Sequence, residues 1–114
     1  MSTVSLKVAG LKESLSDFRN TWEGGRASAP EISFASWDVM HRILTPKRLE
    51  IIRALCGQPP MSIREASRRV SRDFKGVHTD VTALVTAGLV EQRDGKICFP
   101  YERIHVEFDI DAAA

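Results

Sequence analysis

The sequence has few residues of the kinds that build metal or redox sites, and it has no long apolar segment. Its two cysteines, Cys56 and Cys98, lack C-x-x-C spacing and a paired histidine, so we expect no metal and no other cofactor. Isolated thiols in apolar surroundings are typical of a reducing compartment. No run of residues is long enough for a membrane helix or a signal-peptide core. We therefore expect a cytoplasmic protein that does not bind a membrane.

Patterns associated with catalysis are also missing. Asp38 and His41 lie three residues apart on one predicted helix. Glu102, His105 and Glu107 lie close together near the C-terminus. Neither group is accompanied by a nucleophile, a glycine-rich phosphate loop or a metal-ligand spacing. A chain of 114 residues has room for one domain and an arm, and little room for a deep cleft. We therefore predict that the protein is not an enzyme.

Positive charge is concentrated in one part of the chain. The net charge is +1 overall, but residues 42–75 contain nine Lys or Arg and three Asp or Glu, which gives this segment +6. From residue 91 onward three basic residues stand against six acidic ones, which gives −3. A basic segment in a near-neutral chain indicates a local anionic partner. The alternative is a solvated charged surface.

Residues 62–100 carry the most informative pattern. Ser62 and Glu65 form the S-x-x-E capping box of a helix start. A second helix ends at Gly88, as expected for a left-handed cap. Two short strands follow, joined at Asp94-Gly95, a dipeptide that suits a type I′ turn. This order of elements is typical of a helix-turn-helix with a β-wing. The predicted buried stripe of the second helix comprises Val77, Val81, Leu84 and Val85.

The flanking residues complete a predicted α+β fold, a winged helix-turn-helix with a three-helix core. Residues 31–34 are a strand candidate, and Ser36 and the Thr45-Pro46 pair mark two helix starts. The buried side of the support helix is predicted to comprise Leu49, Ile51, Ile52 and Leu55. Residues 104–110 alternate as a half-exposed strand. We expect it to pair near residues 31–34, because an exposed apolar strand invites aggregation.

The predicted organisation is an arm at residues 1–30, the winged helix-turn-helix domain at 31–110 and a tail at 111–114. Residues 1–10 are either disordered or form a short extended segment. An amphipathic helix follows, and Gly24-Gly25 ends it. Since a helix of this length is marginal in water, its apolar face should bind the domain, a second copy or another protein. That face comprises Leu11, Leu15, Phe18 and Trp22.

The two helices and the wing offer candidate contacts to DNA. In a helix-turn-helix the second helix lies in the major groove, where its exposed residues contact base edges and phosphates. The first helix can hold the phosphate backbone, and the wing tip can bind a minor groove or the adjacent backbone. The candidates on the second helix and the turn before it are Arg72, Lys75, His78, Thr79 and Thr82. Those on the first helix are Arg64, Arg68 and Arg69, and those on the wing are Arg93 and Lys96.

Each candidate has a plainer alternative. Arg68 and Arg69 can be solvated surface residues, and His78 can be an ordinary surface histidine because no metal-binding partners accompany it. Trp22 and Trp37 are more typical of core or interface anchors than of platforms for stacking bases. The wing residues rest on the weakest pattern of the set.

Residues 44–110 resemble the MarR-like winged helix-turn-helix DNA-binding regulators, many of which act as antitoxins. The similarity lies in TPKRLEIIRAL, SIREASRRV, SRDFKGVHTDV, LVTAGLVE and the closing ISF and IHVEF strands. It implies a repressor that contacts DNA through Arg72, Lys75, His78 and Thr79. If the chain is of the antitoxin type, it neutralises a toxin and represses the shared operon.

Two functions from different classes remain open. The first is a dimeric, sequence-specific regulator of double-stranded operator DNA, as the antitoxin of a toxin pair. The second is a winged-helix protein-interaction module whose basic surface binds an acidic partner.

Overall fold

The computed structural model describes residues 2–8, 30–110 and 112. Over these residues the chain forms a small α+β domain with four helices and two three-stranded sheets. In chain order the elements are β1 (Thr3–Val8), β2 (Glu31–Phe34), α1 (Trp37–Ile43), α2 (Pro46–Leu55), β3 (Met61–Ser62), α3 (Ile63–Arg69), α4 (Phe74–Thr86), β4 (Glu91–Arg93), β5 (Lys96–Cys98) and β6 (Arg103–Glu107).

Each helix begins at a side chain that accepts a hydrogen bond from the first turn. The predicted caps are confirmed. Ser36 Oγ accepts from the Val39 N–H at 3.3 Å, Thr45 Oγ1 from the Arg48 N–H at 3.3 Å, and Ser62 Oγ from the Glu65 N–H at 3.0 Å. At α4 the cap is Asp73, whose Oδ2 accepts from the Gly76 N–H at 2.9 Å. These bonds satisfy N–H groups that lack a partner within the helix.

The end of α4 and the hairpin turn follow their sequence signals. Gly88 has φ of 82°, and the Leu89 N–H donates to Leu84 O at 3.0 Å, closing the left-handed cap. Asp94 and Gly95 have φ of 55° and 76°, the two positive values that a type I′ turn requires. The predicted cap and the predicted turn are both confirmed.

The first sheet differs from the expected arrangement. Its strand order is β2-β1-β6, and both pairings are parallel. The strand at residues 31–34 is confirmed as β2, but the closing strand β6 pairs with β1, which lies between them. Val4 and Leu6 of β1 are fully buried because they are the central apolar side chains of this sheet. β1, which lies within the predicted arm at residues 1–30, is therefore a strand of the same sheet as β2 and β6.

The second sheet joins the hairpin to the start of α3. Its order is β3-β5-β4, with antiparallel pairing throughout. Met61 pairs with Ile97, and Ser62, the cap of α3, pairs with Lys96. The hairpin is therefore hydrogen-bonded to the residues that begin α3.

The core lies between the sheets and the helices, and most predicted core residues are in it. Ile51, Ile52 and Leu55 of α2 are buried, as are Val77, Val81 and Leu84 of α4. Two predictions need correction. Leu49 is 39% exposed because it lies on the outer side of α2, and Val85 is half-buried at the edge of the α4 stripe.

The described residues can be compared with the expectations about cysteines, membrane helices and metal sites. Cys56 and Cys98 are half-buried free thiols, and burial raises the pKa of each. Among residues 2–8 and 30–110, no helix is both long and apolar enough to cross a bilayer. The same residues contain no group of three or more His, Cys, Asp or Glu placed to hold a metal ion.

Candidate functional site

The candidate site is built on α3 and α4, which are joined by a short turn. The turn reverses at Ser71, whose φ is 56°, and the Arg72 N–H donates to Ser67 O at 3.0 Å. Ser67 is a buried polar residue, and its Oγ donates to Arg64 O at 2.8 Å. These local bonds hold the last turn of α3 and direct the chain into Asp73, the cap of α4.

A carboxylate on α4 connects three parts of the domain. Asp80 Oδ1 accepts from Arg48 Nε at 3.1 Å and Oδ2 accepts from Arg72 Nη1 at 2.9 Å. Arg48 Nη1 also donates to the backbone oxygens of Arg42 and Ile43, at 3.0 and 3.2 Å. The side chains of Asp80, Arg48 and Arg72 are 15–20% exposed. The cluster therefore ties α4 to the turn, to the start of α2 and to the end of α1.

The cluster changes the role expected of Arg72. Burial alone raises the pKa of Asp80, but hydrogen bonds from Arg48 and Arg72 outweigh it and lower that pKa below its ordinary value. Arg72, predicted to contact phosphate, uses one guanidinium nitrogen in this ion pair. Asp80 was not predicted as a site residue. One sequence signal could have identified Asp80: it is an acidic residue next to the apolar stripe of Val77, Val81 and Leu84, in a segment rich in arginine.

A shallow groove separates the N-terminal ends of α2 and α4. Its volume is about 760 Å³. It is lined by Thr45, Pro46, Lys47, Arg48, Arg72, Asp73, Lys75, Gly76, Thr79 and Asp80. Lys47 and Lys75 are exposed on its two sides and form no ion pair with any described residue. The partial positive charge of two helix N-termini adds to that of the lysines. Lys47 contributed to the predicted basic segment but not to the predicted contacts.

The outer face of α4 presents the predicted second-helix residues to solvent. Lys75, His78, Thr79 and Thr82 are all exposed. Thr79 Oγ1 donates to Lys75 O at 3.1 Å, and Thr82 Oγ1 donates to His78 O at 2.8 Å. The hydroxyl hydrogens are therefore used within the helix, and each hydroxyl oxygen keeps lone pairs that can accept a further hydrogen bond.

An aromatic residue that sequence reasoning missed stands at the start of α4. Phe74 is 41% exposed, the Arg64 guanidinium lies 4.7 Å from its ring centroid, and the His78 ring lies 5.7 Å away. Stacking on the ring holds the Arg64 side chain toward the N-terminal end of α4. Phe74 directly follows the cap residue Asp73 and precedes the outward residues Lys75 and His78. This position outside the apolar stripe of α4 could have indicated that it is exposed.

The other two arginines of α3 share one carboxylate. Glu65 Oε1 accepts from Arg69 Nε at 3.1 Å, and Oε2 accepts from Arg68 Nη2. These hydrogen bonds lower the pKa of Glu65, and the bond from Arg69 has the largest effect. Arg69 Nη1 also donates to Gln58 Oε1 at 3.2 Å. The side chain of Arg68 remains 78% exposed, so it is the more available of the two for an external anion.

The hairpin tip carries the remaining predicted contacts. Arg93 and Lys96 are paired across β4 and β5, and both are exposed. The register of Lys96 with Ser62 places it beside the start of α3. A second shallow depression of about 540 Å³ at this end is also lined by Glu91 and Asp94, so charge at the tip is mixed.

The structure thus brings Arg64 to the start of α4 through Phe74, and Arg72 to α4 through Asp80. It places Arg69 beside Gln58 and α2, and the hairpin beside the start of α3. The predicted partner-binding residues of the arm, Leu11, Leu15, Phe18 and Trp22, lie outside the described residues, as does most of the predicted tail.

Comparison with known proteins gives one family. No curated protein and no solved structure matches the chain. Residues 43–106 match the family model described as HVO_A0114. That segment contains all of α2, α3, α4 and the hairpin, and it is more than half of the 114 residues. The chain therefore belongs to the HVO_A0114 family.

Proposed function

We propose that this chain is a winged helix-turn-helix protein that binds double-stranded operator DNA and regulates transcription. In this proposal α2, α3 and α4 are the three-helix core, α4 is the recognition helix, and the β4–β5 hairpin is the wing. The observation that carries the proposal is the exposed basic region at the start of α4, where Lys75 borders the same groove as Lys47 and His78 is exposed three residues further along the helix.

The geometry of α4 suits insertion into a major groove. Its inner side is held by Val77, Val81 and Leu84 in the core, so the outer side can approach DNA without rearrangement. Lys75 and His78 are donors for guanine edges or phosphates, and the methyl groups of Thr79 and Thr82 can contact thymine. These contacts would supply the sequence-dependent part of binding.

Phosphate contacts fall on both sides of α4. Lys47 lies across the groove from Lys75, and Arg64 and Arg68 extend from α3. Such contacts fix the register of the protein on the duplex and carry little sequence information. We assign Arg72 and Arg69 secondary parts, since the side chain of Arg72 is only 20% exposed in its ion pair with Asp80, and Arg69 is bonded to both Glu65 and Gln58. Arg68 also pairs with Glu65, but its side chain remains 78% exposed. Arg93 and Lys96 would contact the backbone or minor groove beyond α3.

The role of antitoxin is the more specific part of the proposal. It rests on the resemblance of residues 44–110 to antitoxin-type regulators. We place the protein in the cytoplasm, where it would act without a catalytic step or a cofactor. A homodimer would match an operator with two half-sites.

The alternative is a protein-interaction module, and the salt dependence of DNA binding distinguishes the two. We expect a labelled fragment of the protein's own promoter to bind more tightly than a scrambled fragment of equal length, measured by fluorescence anisotropy. Six phosphate contacts would weaken binding about a thousandfold between roughly 50 and 200 mM salt. Equal affinity for both fragments, or no binding at low salt, would rule out specific operator binding and favour the interaction module.

The arm supplies a separate test of the antitoxin role. Deleting residues 1–26 would remove β1 from the sheet, so substitutions are the better design. We expect a variant with Leu11, Leu15, Phe18 and Trp22 changed to serine to lose co-purification with the toxin-like product of a neighbouring gene, because the apolar face is gone. Operator binding serves as the control and should persist. Unchanged co-purification would contradict toxin docking on this face.

A further inference from the structure

The β2-β1-β6 sheet leaves an apolar strand at its edge. Among the described residues β6 has one neighbour, β1. Val106 and Phe108 are each 41% exposed and Ile110 is 73% exposed, although their alternation predicted a half-buried strand. An exposed apolar edge strand is a surface on which another strand can pair. Trp37 extends the apolar area, since its ring centroid lies 4.6 Å from that of Phe108.

The backbone N–H and C=O groups of β6 point toward β1 at every second residue and toward the open edge at the residues between. The Arg103 N–H donates to Ser2 O at 3.1 Å, and Thr3 is paired with Arg103. In a parallel ladder the residues that bond one neighbour alternate along the strand. His105 and Glu107 therefore also direct their backbone groups at β1. Ile104 and Val106 direct theirs away from the sheet, toward the open edge.

The sequence of residues 103–109, which comprises β6 and the two residues after it, is complementary to itself in antiparallel orientation. A two-fold axis at Val106 places Arg103 of one copy opposite Asp109 of the other, and His105 opposite Glu107. It also places Ile104 opposite Phe108, on the apolar side of both copies. A register centred on His105 sets two histidines opposite each other, and one centred on Glu107 sets two carboxylates opposite each other. In the Val106 register no two like charges lie opposite each other, and Arg103 and Asp109 form a pair of opposite sign, which favours cross-strand pairing.

We propose that two copies of this chain dimerise through antiparallel pairing of β6, centred on Val106. The two sheets then form one six-stranded sheet, and the interface is isologous. The apolar side chains of both copies lie on the same side of that sheet, next to Trp37. This interface concerns the dimer of the proposed function, but it stands on the geometry of the sheet and does not require DNA binding.

Proline substitutions at the two sheet edges test the pairing. Val106→Pro removes an N–H that β1 does not use, so the monomer should keep its fold. We expect the dimer dissociation constant, measured by sedimentation equilibrium without DNA, to rise roughly a hundredfold, since two symmetric backbone bonds are lost. The matched control is Ser33→Pro on β2, the opposite edge. The Ser5 N–H donates to Pro30 O, so residues 30, 32 and 34 direct their backbone groups at β1. Ser33, at an alternate position, therefore directs its N–H away from the sheet. We expect this control to remain dimeric.

Charge exchange gives a second test that does not depend on proline. Arg103→Asp and Asp109→Arg each place like charges opposite one another at two symmetric positions, so each variant alone should dimerise about tenfold more weakly. An equimolar mixture should recover the affinity of the unmodified chain, because a heterodimer restores opposite charges at both positions. Six residues of extended chain span about 20 Å, so residues 103 and 109 of one copy are too far apart to pair, and this recovery requires contact between copies.

The outcomes are distinct. A monomeric unmodified chain, an unchanged dimer in Val106→Pro, or no recovery in the charge-exchanged mixture would each overturn the interface. Because no DNA is present, these results are read separately from operator binding. A chain that binds its operator but fails these tests retains the proposed function and loses this interface.

Discussion

Replacement of Asp80 by asparagine will lower the free energy of unfolding at neutral pH by about 2–3 kcal/mol. The substitution preserves the shape of the side chain but leaves Arg48 and Arg72, both largely buried, without their shared charge partner. The loss should be smaller than for a fully buried pair because these side chains retain 15–20% exposure. Urea unfolding followed by circular dichroism measures it.

The loss of stability in Asp80→Asn should depend on pH. Since the pKa of Asp80 is lower in the folded protein than in the unfolded chain, its contribution to stability is present above the unfolded value of about 3.9. That contribution is lost as the pH falls through the folded value. The stability difference between the unmodified chain and Asp80→Asn should therefore shrink below about pH 4. A difference that stays constant down to that range would contradict an ionic role.

The control is Asp94→Asn at the hairpin tip. Asp94 is exposed, has φ of 55° and forms no ion pair with a described residue. Asparagine tolerates this backbone conformation, so the change in stability should stay within about 0.5 kcal/mol. Equal losses in the two variants would mean that the Arg48–Asp80–Arg72 cluster has no special stabilising role.

Lys75→Ala will weaken operator binding by about tenfold or more, with little change in stability. Lys75 is exposed at the start of α4 and borders the groove, so its removal takes one cation from the proposed interface and nothing from the core. If Lys75 contacts phosphate, the slope of log affinity against log salt should fall by about one. If it contacts a base, discrimination between the promoter and scrambled fragments should also fall.

Lys7→Ala is the charge-matched control for this experiment. It removes one positive charge from β1, where Lys7 Nζ pairs with Glu31 at 3.0 Å and Glu107 at 3.4 Å. Operator affinity should stay within about twofold, provided that thermal unfolding shows an intact fold. Equal weakening by both variants would indicate a general charge effect. No weakening by Lys75→Ala would remove α4 from the proposed interface.

Local signals in the sequence predicted local structure well. The caps Ser36, Thr45 and Ser62 and the turns at Gly88 and Asp94-Gly95 each depend on a few neighbouring residues. Their geometry follows from hydrogen bonds and backbone preferences that act within one turn. The predicted positions of α3, α4 and the hairpin follow from them.

Contacts between distant residues could not be predicted in the same way. Nothing in the local pattern pairs Asp80 with Arg48, 32 residues earlier, because that contact depends on how α2 packs on α4. The place of β1 between β2 and β6 likewise depends on two separate parts of the chain. Residues 3–8 alternate weakly, and alternation alone does not distinguish a free arm from a central strand.

The candidate site was predictable in part, because some of its features depend on local sequence and others on the packing of distant elements. The exposure of Lys75, His78, Thr79 and Thr82 was predictable because the buried stripe of α4 determines the opposite face. The stacking of Arg64 on Phe74 was not, since it requires the angle between α3 and α4.

The parallel pairing of β1 with β6 also determines the order in which the domain can fold. Glu102 donates its N–H to the backbone oxygen and the hydroxyl of Ser2, 100 residues away in the chain. During synthesis β1 leaves the ribosome before β6 and cannot acquire this neighbour until residues 103–107 have been made. The α3–α4 pair, whose contacts are local, can form beforehand. Completion of the sheet should therefore be the last and slowest step, and until then Val4 and Leu6 remain a site for misassembly on the nascent chain.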